Sequence, residues 1–188
     1  MKTRISVVHP KAVVPTYGSD GAACFDLYAA QFLEPKMEPL KLDQTGAATF
    51  VDEVTVDTGL IFEVPPGYGL FIFPRSGLAF SHGINLKNTV GIVDSDYRGP
   101  VQIILRRNVR YDYVANAVVT ASGFPQQSQS QKMYDSVVDD FSSHTLSVGD
   151  RVAQACILPI ERVEFEVVDR DVLTRTVRGD GGFGSTGK

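Results

Sequence analysis

Short β-forming runs, broken by glycine- and proline-rich turns, recur along almost the whole of this chain and leave room for little helix. Arg4–Val8, Cys24–Ala29, Thr49–Val56, Leu60–Val64, Gly69–Phe73, Val101–Arg106, Arg110–Thr120, Ala153–Pro159 and Val163–Val168 are strand-like in composition. Pro10–Gly18, Gln31–Gln44 and Ser122–Gln131 read as loops, and Pro65-Pro66-Gly67-Tyr68 as a turn. Helical character is confined to Leu78–His82 and to Lys132–Phe141, where Met133, Val137, Val138 and Phe141 recur at helical spacing. This pattern predicts an all-β fold. A length of 188 residues fits one domain with a sizeable core.

Three stretches carry chemistry. Asn88–Gly99 reads as a β-hairpin: Val90, Ile92 and Val93 are strand formers, Asp94-Ser95-Asp96 is a turn, and Val101–Leu105 resumes the strand. The backbone of such a hairpin can read the edge of a flat heterocycle, with the Asp94 carboxylate and the Tyr97 ring at its mouth. An ordinary surface turn has the same residues. Pro74-Arg75-Ser76-Gly77 ends one strand and opens the short helix. Free N–H groups at a helix start suit phosphate, while Ser76 equally suits a plain helix cap. Asp26 lies inside an apolar strand and needs a partner there, such as an arginine or a backbone group.

These stretches, taken with Gly21-Ala-Ala-Cys-Phe-Asp26-Leu27, Gly149-Asp-Arg-Val-Ala-Gln154 and Arg178-Gly-Asp-Gly-Gly-Phe-Gly-Ser-Thr-Gly187, resemble in order the five motifs of the trimeric dUTPase family. Cys24 stands where that family has glycine. The motifs run almost end to end, leaving Gln31–Thr55 and Val109–Ser147 unmatched.

The resemblance implies a jelly-roll (β-clip) domain over 1–177, assembled as a homotrimer, with 178–188 a mobile arm that closes over the site. It implies hydrolysis of dUTP to dUMP and pyrophosphate, by attack of water at the α-phosphorus with Mg²⁺. That reaction limits uracil in DNA and supplies dUMP for thymidylate synthesis. Asp94 would orient or deprotonate the water. Asn88, with Gly91, Ile92, Val93 and Gln102, would read uracil, and Tyr97 would pack under the sugar. Arg75, Ser76, Gly77 and Gln154 would hold phosphates. Phe183 would stack on the base, while Arg178, Gly184, Ser185 and Thr186 of the arm close over the phosphates. Asp26 would reach the metal through water. A dCTP deaminase of the same fold is an alternative, separated by ammonia release from dCTP.

Composition bounds the partners. A net charge of −4 argues against a polynucleotide groove, which needs a basic stripe, but not against a small anionic ligand. No apolar run is long enough to span a bilayer, and the amino terminus has no signal-peptide pattern. A soluble protein of the cytoplasm, or of the host cytoplasm if viral, is expected. Cys24 and Cys156 read as buried reduced thiols, and no Cys/His spacing suggests zinc. The stretch 109–147 reads as an insert: an elaborated surface hairpin, or a module that binds a protein partner and gives the chain a regulatory role.

Overall fold

The computed structural model describes residues 1–33, 36–42, 48–111 and 146–182. The proposed helical turns at Lys132–Phe141, most of the insert and Phe183–Thr186 lie outside them. Eleven strands are present: β1 (Arg4–Val7), β2 (Phe25–Tyr28), β3 (Gln31–Phe32), β4 (Lys36–Leu42), β5 (Ala48–Asp57), β6 (Leu60–Glu63), β7 (Tyr68–Phe73), β8 (Ile84–Leu86), β9 (Gly91–Val93), β10 (Gln102–Tyr111) and β11 (Arg151–Pro159). One α-helix, α1 (Ser76–His82), and a 3₁₀ turn at Arg170–Val172 complete the described elements. The all-β expectation holds.

The strands form a β1-β6 ribbon, a sheet ordered β3-β5-β10-β8 with β4 also on β5, and a sheet ordered β2-β11-β7-β9. Alternation along the strands turns one face of each sheet inward. Phe25 and Leu27 of β2, Val54 and Val56 of β5, Leu70 and Ile72 of β7, Ile103 and Leu105 of β10, and Ala153 and Ala155 of β11 meet in one core with Phe62, Ile84 and Val152. Thr58 is fully buried beside them and donates its hydroxyl to the Val101 carbonyl at 2.8 Å.

Three sequence expectations change. Gln31–Gln44 is not a loop: β3 and β4 run antiparallel to β5. The lysines, glutamates and proline there are weak strand formers, but among the described residues β4 pairs with β5 alone, and such residues are tolerated at a sheet edge. Its register shifts between Glu38 and Lys41, around Pro39.

The supposed hairpin also resolves differently. β9 pairs with β7, whereas β10 pairs with β5 and β8, so the two strands belong to different sheets. The segment between β8 and β10 crosses from one sheet to the other and back. Val163–Val168, finally, forms no strand within the chain. Phe165 is 90% exposed and Val167 98%. A strand needs a partner, and this stretch has none among the described residues.

Candidate active site

β7 carries the site, because both functional clusters attach to its carboxyl end. On one side Ile72 pairs with Gly91 of β9, and on the other Phe73 pairs with Gln154 of β11. β11 in turn sets Gln154 opposite Asp26 of β2. Beyond Phe73 the chain turns through Pro74 and Arg75 into α1.

Asp26 resolves to an arginine clamp. Arg75 donates Nε–H to its Oδ1 at 3.1 Å, and Arg151 donates from Nη1 to its Oδ2 at 3.3 Å. The Arg75 Nη1 also bonds the Arg151 carbonyl at 3.0 Å, which fixes the guanidinium plane. Gln154 donates Nε2–H to the Pro74 carbonyl at 2.9 Å and so anchors the turn into the helix. The Asp26 side chain is only 16% exposed, so this charge is held by its partners rather than by water. Arg151 was not singled out in the sequence. The signal available was its place beside Gln154 in the fourth motif, on a strand that alternation puts against Asp26.

Ser76 does not cap the helix with its side chain. Arg75 occupies the N-cap position in extended backbone, without a side-chain cap bond. Ser76 and Gly77 are exposed, and open space surrounds the position a Cβ on Gly77 would take. Gly83 closes the helix in the left-handed region, φ +65°, its N–H bonding the Ala79 carbonyl.

The second cluster is built on the crossing segment 87–102. A cavity of about 390 Å³ is lined by Ile72, Leu86, Lys87, Asn88, Gly91, Gln102, Ile103 and Ile104. A second, of about 220 Å³, is lined by Ile92, Val93, Asp94, Tyr97, Pro100, Val101 and Gln102. Gln102 lines both, and its Nε2 lies 3.4 Å from Asp57 Oδ2. The structure therefore brings together Asn88, Gly91, Ile92, Val93, Asp94, Tyr97 and Gln102, although not through a simple hairpin.

Gly91 is close-packed: a Cβ there would sit 3.2 Å from the Ile72 Cβ and 3.7 Å from Asn88 Nδ2. Asp94 is exposed, and its carbonyl accepts the Tyr97 N–H at 3.2 Å to close the turn. Arg98 braces that turn by donating from Nη1 to the Ser95 and Tyr97 carbonyls, both at 2.8 Å. The Tyr97 ring folds back over Gly99, and its hydroxyl donates to the Pro100 carbonyl at 3.2 Å.

Three further features have little or no signature in the sequence. Thr89 has φ +64°, a costly conformation for a β-branched residue, immediately after Asn88. Gly99 is required by the ring above it: a Cβ would fall 2.3 Å from the Tyr97 hydroxyl and 2.5 Å from its Cζ. Glu53 is a buried carboxylate, 4% exposed. It takes a hydrogen bond from Lys87 Nζ at 2.5 Å and faces Arg106 Nε at 3.7 Å, tying β5 to the residue before Asn88.

Arg178 lies on the exposed carboxyl-terminal stretch, where its Nε bonds the Gly181 carbonyl at 2.7 Å. It touches neither cluster. As to metal, the described residues contain no group of three or more His, Cys, Asp or Glu side chains. Both Asp26 oxygens already receive guanidinium donors. This donor set does not suit a protein-caged cation. It fits a hard cation carried by phosphate oxygens and met by Asp26 through water.

An all-β domain with two adjoining cavities at one strand crossing and an arginine-clamped carboxylate beside an exposed helix start defines a class of β-protein with a polar ligand site. Residues 10–116 match the dUTPase family model. The deoxyuridine 5'-triphosphate nucleotidohydrolase of Wolinella succinogenes is 37% identical over 188 residues, covering 100% of this chain and 95% of the relative. That of Dinoroseobacter shibae is 38% identical over 175 residues, covering 93% of this chain and 88% of the relative. The structure of Staphylococcus bacteriophage 80alpha dUTPase with dUPNHPP has the same fold, with a TM-score of 0.63 at 18% identity, covering 100% of this chain and 99% of that one. This chain belongs to the dUTPase family.

Proposed function

We propose that the chain hydrolyses dUTP to dUMP and pyrophosphate, acting as a dUTP diphosphatase. The observation that carries this reading is the crossing segment 87–102. It places Asn88, Gly91 and Gln102 around one cavity and Asp94 with Tyr97 around its neighbour. Uracil offers acceptor–donor–acceptor chemistry along one edge, which the Asn88 amide and the backbone near Gly91–Val93 match. The close packing of Gly91 on Ile72 supports a tight base site that rejects a 5-methyl group. Cytosine would leave a donor facing a donor, and buried unpaired groups are costly. Tyr97, folded over Gly99, packs under the sugar and disfavours a 2'-hydroxyl.

Water attacks the α-phosphorus in this scheme. Asp94 orients it and accepts its proton. Its exposure suits a base that must meet water and give its proton back to solvent. Negative charge on the phosphate oxygens is met by Arg75, held in plane by Asp26 and by the Arg151 carbonyl, and by N–H groups at Ser76 and Gly77. Gln154 keeps that turn in place through Pro74. Mg²⁺, when bound, would supply further charge neutralisation on the phosphates, and Asp26 is the residue that would hold it, through water.

Residues 178–188, with Arg178, Phe183, Gly184, Ser185 and Thr186, act as an arm that closes over base and phosphates. The proposed assembly is a homotrimer. Support comes from the stretch after β11, where Val163, Phe165, Val167 and Leu173 stand in solvent. Such a run of apolar side chains fits burial against another copy. Pyrophosphate release measured with dUTP, alongside ammonia release from dCTP, tests the proposal. Release of ammonia without pyrophosphate would assign the deaminase chemistry instead.

A further inference from the structure

Cys24 and Cys156 are both reduced and both half-buried. They lie far apart in sequence, yet the fold brings them near each other. β11 pairs with β2 in the register Gln154 opposite Asp26 and Ala155 opposite Phe25. Cys24 immediately precedes β2 and Cys156 follows Ala155 on β11, so continuing that register by one residue sets Cys156 against Cys24. The register irregularity of this pair lies between Arg151 and Ala153, at the other end of the contact.

The hydrogen-bond phase of the sheet decides what kind of pair this is. The Asp26 N–H points away from β11 and bonds the Thr16 carbonyl at 3.3 Å. Even-numbered residues of β2 therefore make non-hydrogen-bonded pairs with β11. In such pairs Cα atoms stand about 4.5 Å apart, with side chains close together. Disulfides take Cα separations of about 4.4–6.8 Å, a range that this spacing, continued by one residue to Cys24, meets. Side-chain direction agrees. Phe25, Leu27, Ala153 and Ala155 point into the core, and Cys24, Asp26, Gln154 and Cys156 share the opposite face. The thiols are near enough to influence each other: burial pushes the Cys156 thiol up, and Cys24 raises it further by charge and by a thiol–thiol hydrogen bond.

We propose that Cys24 and Cys156 form a redox modification site, a dithiol that a low-molecular-weight disulfide converts into a disulfide two residues along from Asp26 and Gln154. One cysteine thiolate attacks a sulfur of glutathione disulfide, forming a mixed disulfide and expelling a glutathione thiolate. The second cysteine loses its proton and attacks the protein sulfur of that mixed disulfide. It forms the Cys24–Cys156 bond and expels the second glutathione. Two protein thiols are oxidised and one glutathione disulfide is reduced to two thiols. The closed bond locks β2 to β11 and closes a loop running from residue 24 to residue 156.

The test treats the full-length protein with glutathione disulfide and maps peptides without reduction. The expected result is a single linked Cys24–Cys156 peptide, loss of both alkylatable thiols, no glutathione retained, and full reversal by dithiothreitol. The Tm of the oxidised protein should rise by about 5–15 °C, because the long loop no longer opens on unfolding. Cys24→Ser and Cys156→Ser should each retain one glutathione and show no such rise. Stable glutathione adducts on both cysteines of the unaltered protein, links between chains, or thiols that stay alkylatable throughout would each overturn the proposal. The peptide map of the unaltered protein decides this even if a serine variant fails to fold.

Discussion

Gly99→Ala should uncouple sugar selection from the rest of the enzyme. The new Cβ would sit 2.3 Å from the Tyr97 hydroxyl oxygen, 2.5 Å from Cζ and 3.1 Å from Cε2. No carbon tolerates those separations, so something must move. The clashing atoms are the far end of a side chain that is already 46% exposed. The ring therefore swings outward and the backbone stays. Gly99 does not have a positive φ, so alanine brings no backbone strain of its own. The cost is the Tyr97–Pro100 hydrogen bond, about 1 kcal/mol at most for an exposed contact, with the core untouched. The Tm should fall by no more than about 4 °C. Discrimination should suffer far more. A ring that excludes one extra hydroxyl by contact contributes on the order of 10- to 200-fold. The ratio of kcat/KM for dUTP to that for UTP should drop by about that factor, as it should in Tyr97→Ala. The double variant should be no worse than Tyr97→Ala alone, since both act through one ring. An unchanged ratio in Gly99→Ala with the fold intact would refute the reasoning, and so would a collapse of stability.

Asp94→Asn keeps the turn, whose bond uses the backbone carbonyl, but removes the proposed base; kcat for dUTP should fall by about 10²-fold or more while binding of a non-hydrolysable analogue changes little. Asp26→Asn leaves Arg75 and Arg151 without their shared charge, and should cut kcat/KM by about 10-fold or more, measured by pyrophosphate release; activity near that of the unaltered protein would remove the clamp from the mechanism. Glu53→Gln leaves Lys87 and Arg106 facing a neutral amide at a buried position. Both cations are 40% exposed, so the loss should be about 2–3 kcal/mol rather than more, read as a Tm lower by about 4–12 °C.

What the sequence disclosed depended on range. Runs of branched and aromatic residues located β5, β6, β7, β10 and β11, because strand composition is local. β3 and β4 escaped notice because β5 recruits them against their own propensity, with Pro39 accommodated at a register shift. Val163–Val168 has strand composition but no partner among the described residues, and composition cannot supply one. The segment 88–101 looks like a hairpin locally. Only the pairing of Ile72 with Gly91 shows that β9 belongs to the other sheet. Asp26 announced its need for a partner, yet its arginines lie 49 and 125 residues away. Glu53 and the strained Thr89 had no local signal, since both are explained by contacts and backbone made only in the fold. The facing cysteines were legible only as two apolar thiols, because their contact depends on the register of β2 against β11.

The central claim is selectivity for dUTP built by one strand crossing, and parallel rates of pyrophosphate release from dUTP, dTTP, dCTP and UTP test it most directly. The account predicts kcat/KM for dUTP at least about 10²-fold above each of the other three. Comparable rates with dTTP or UTP would contradict it, because the close-packed Gly91 and the Tyr97 ring would then not be shaping the site.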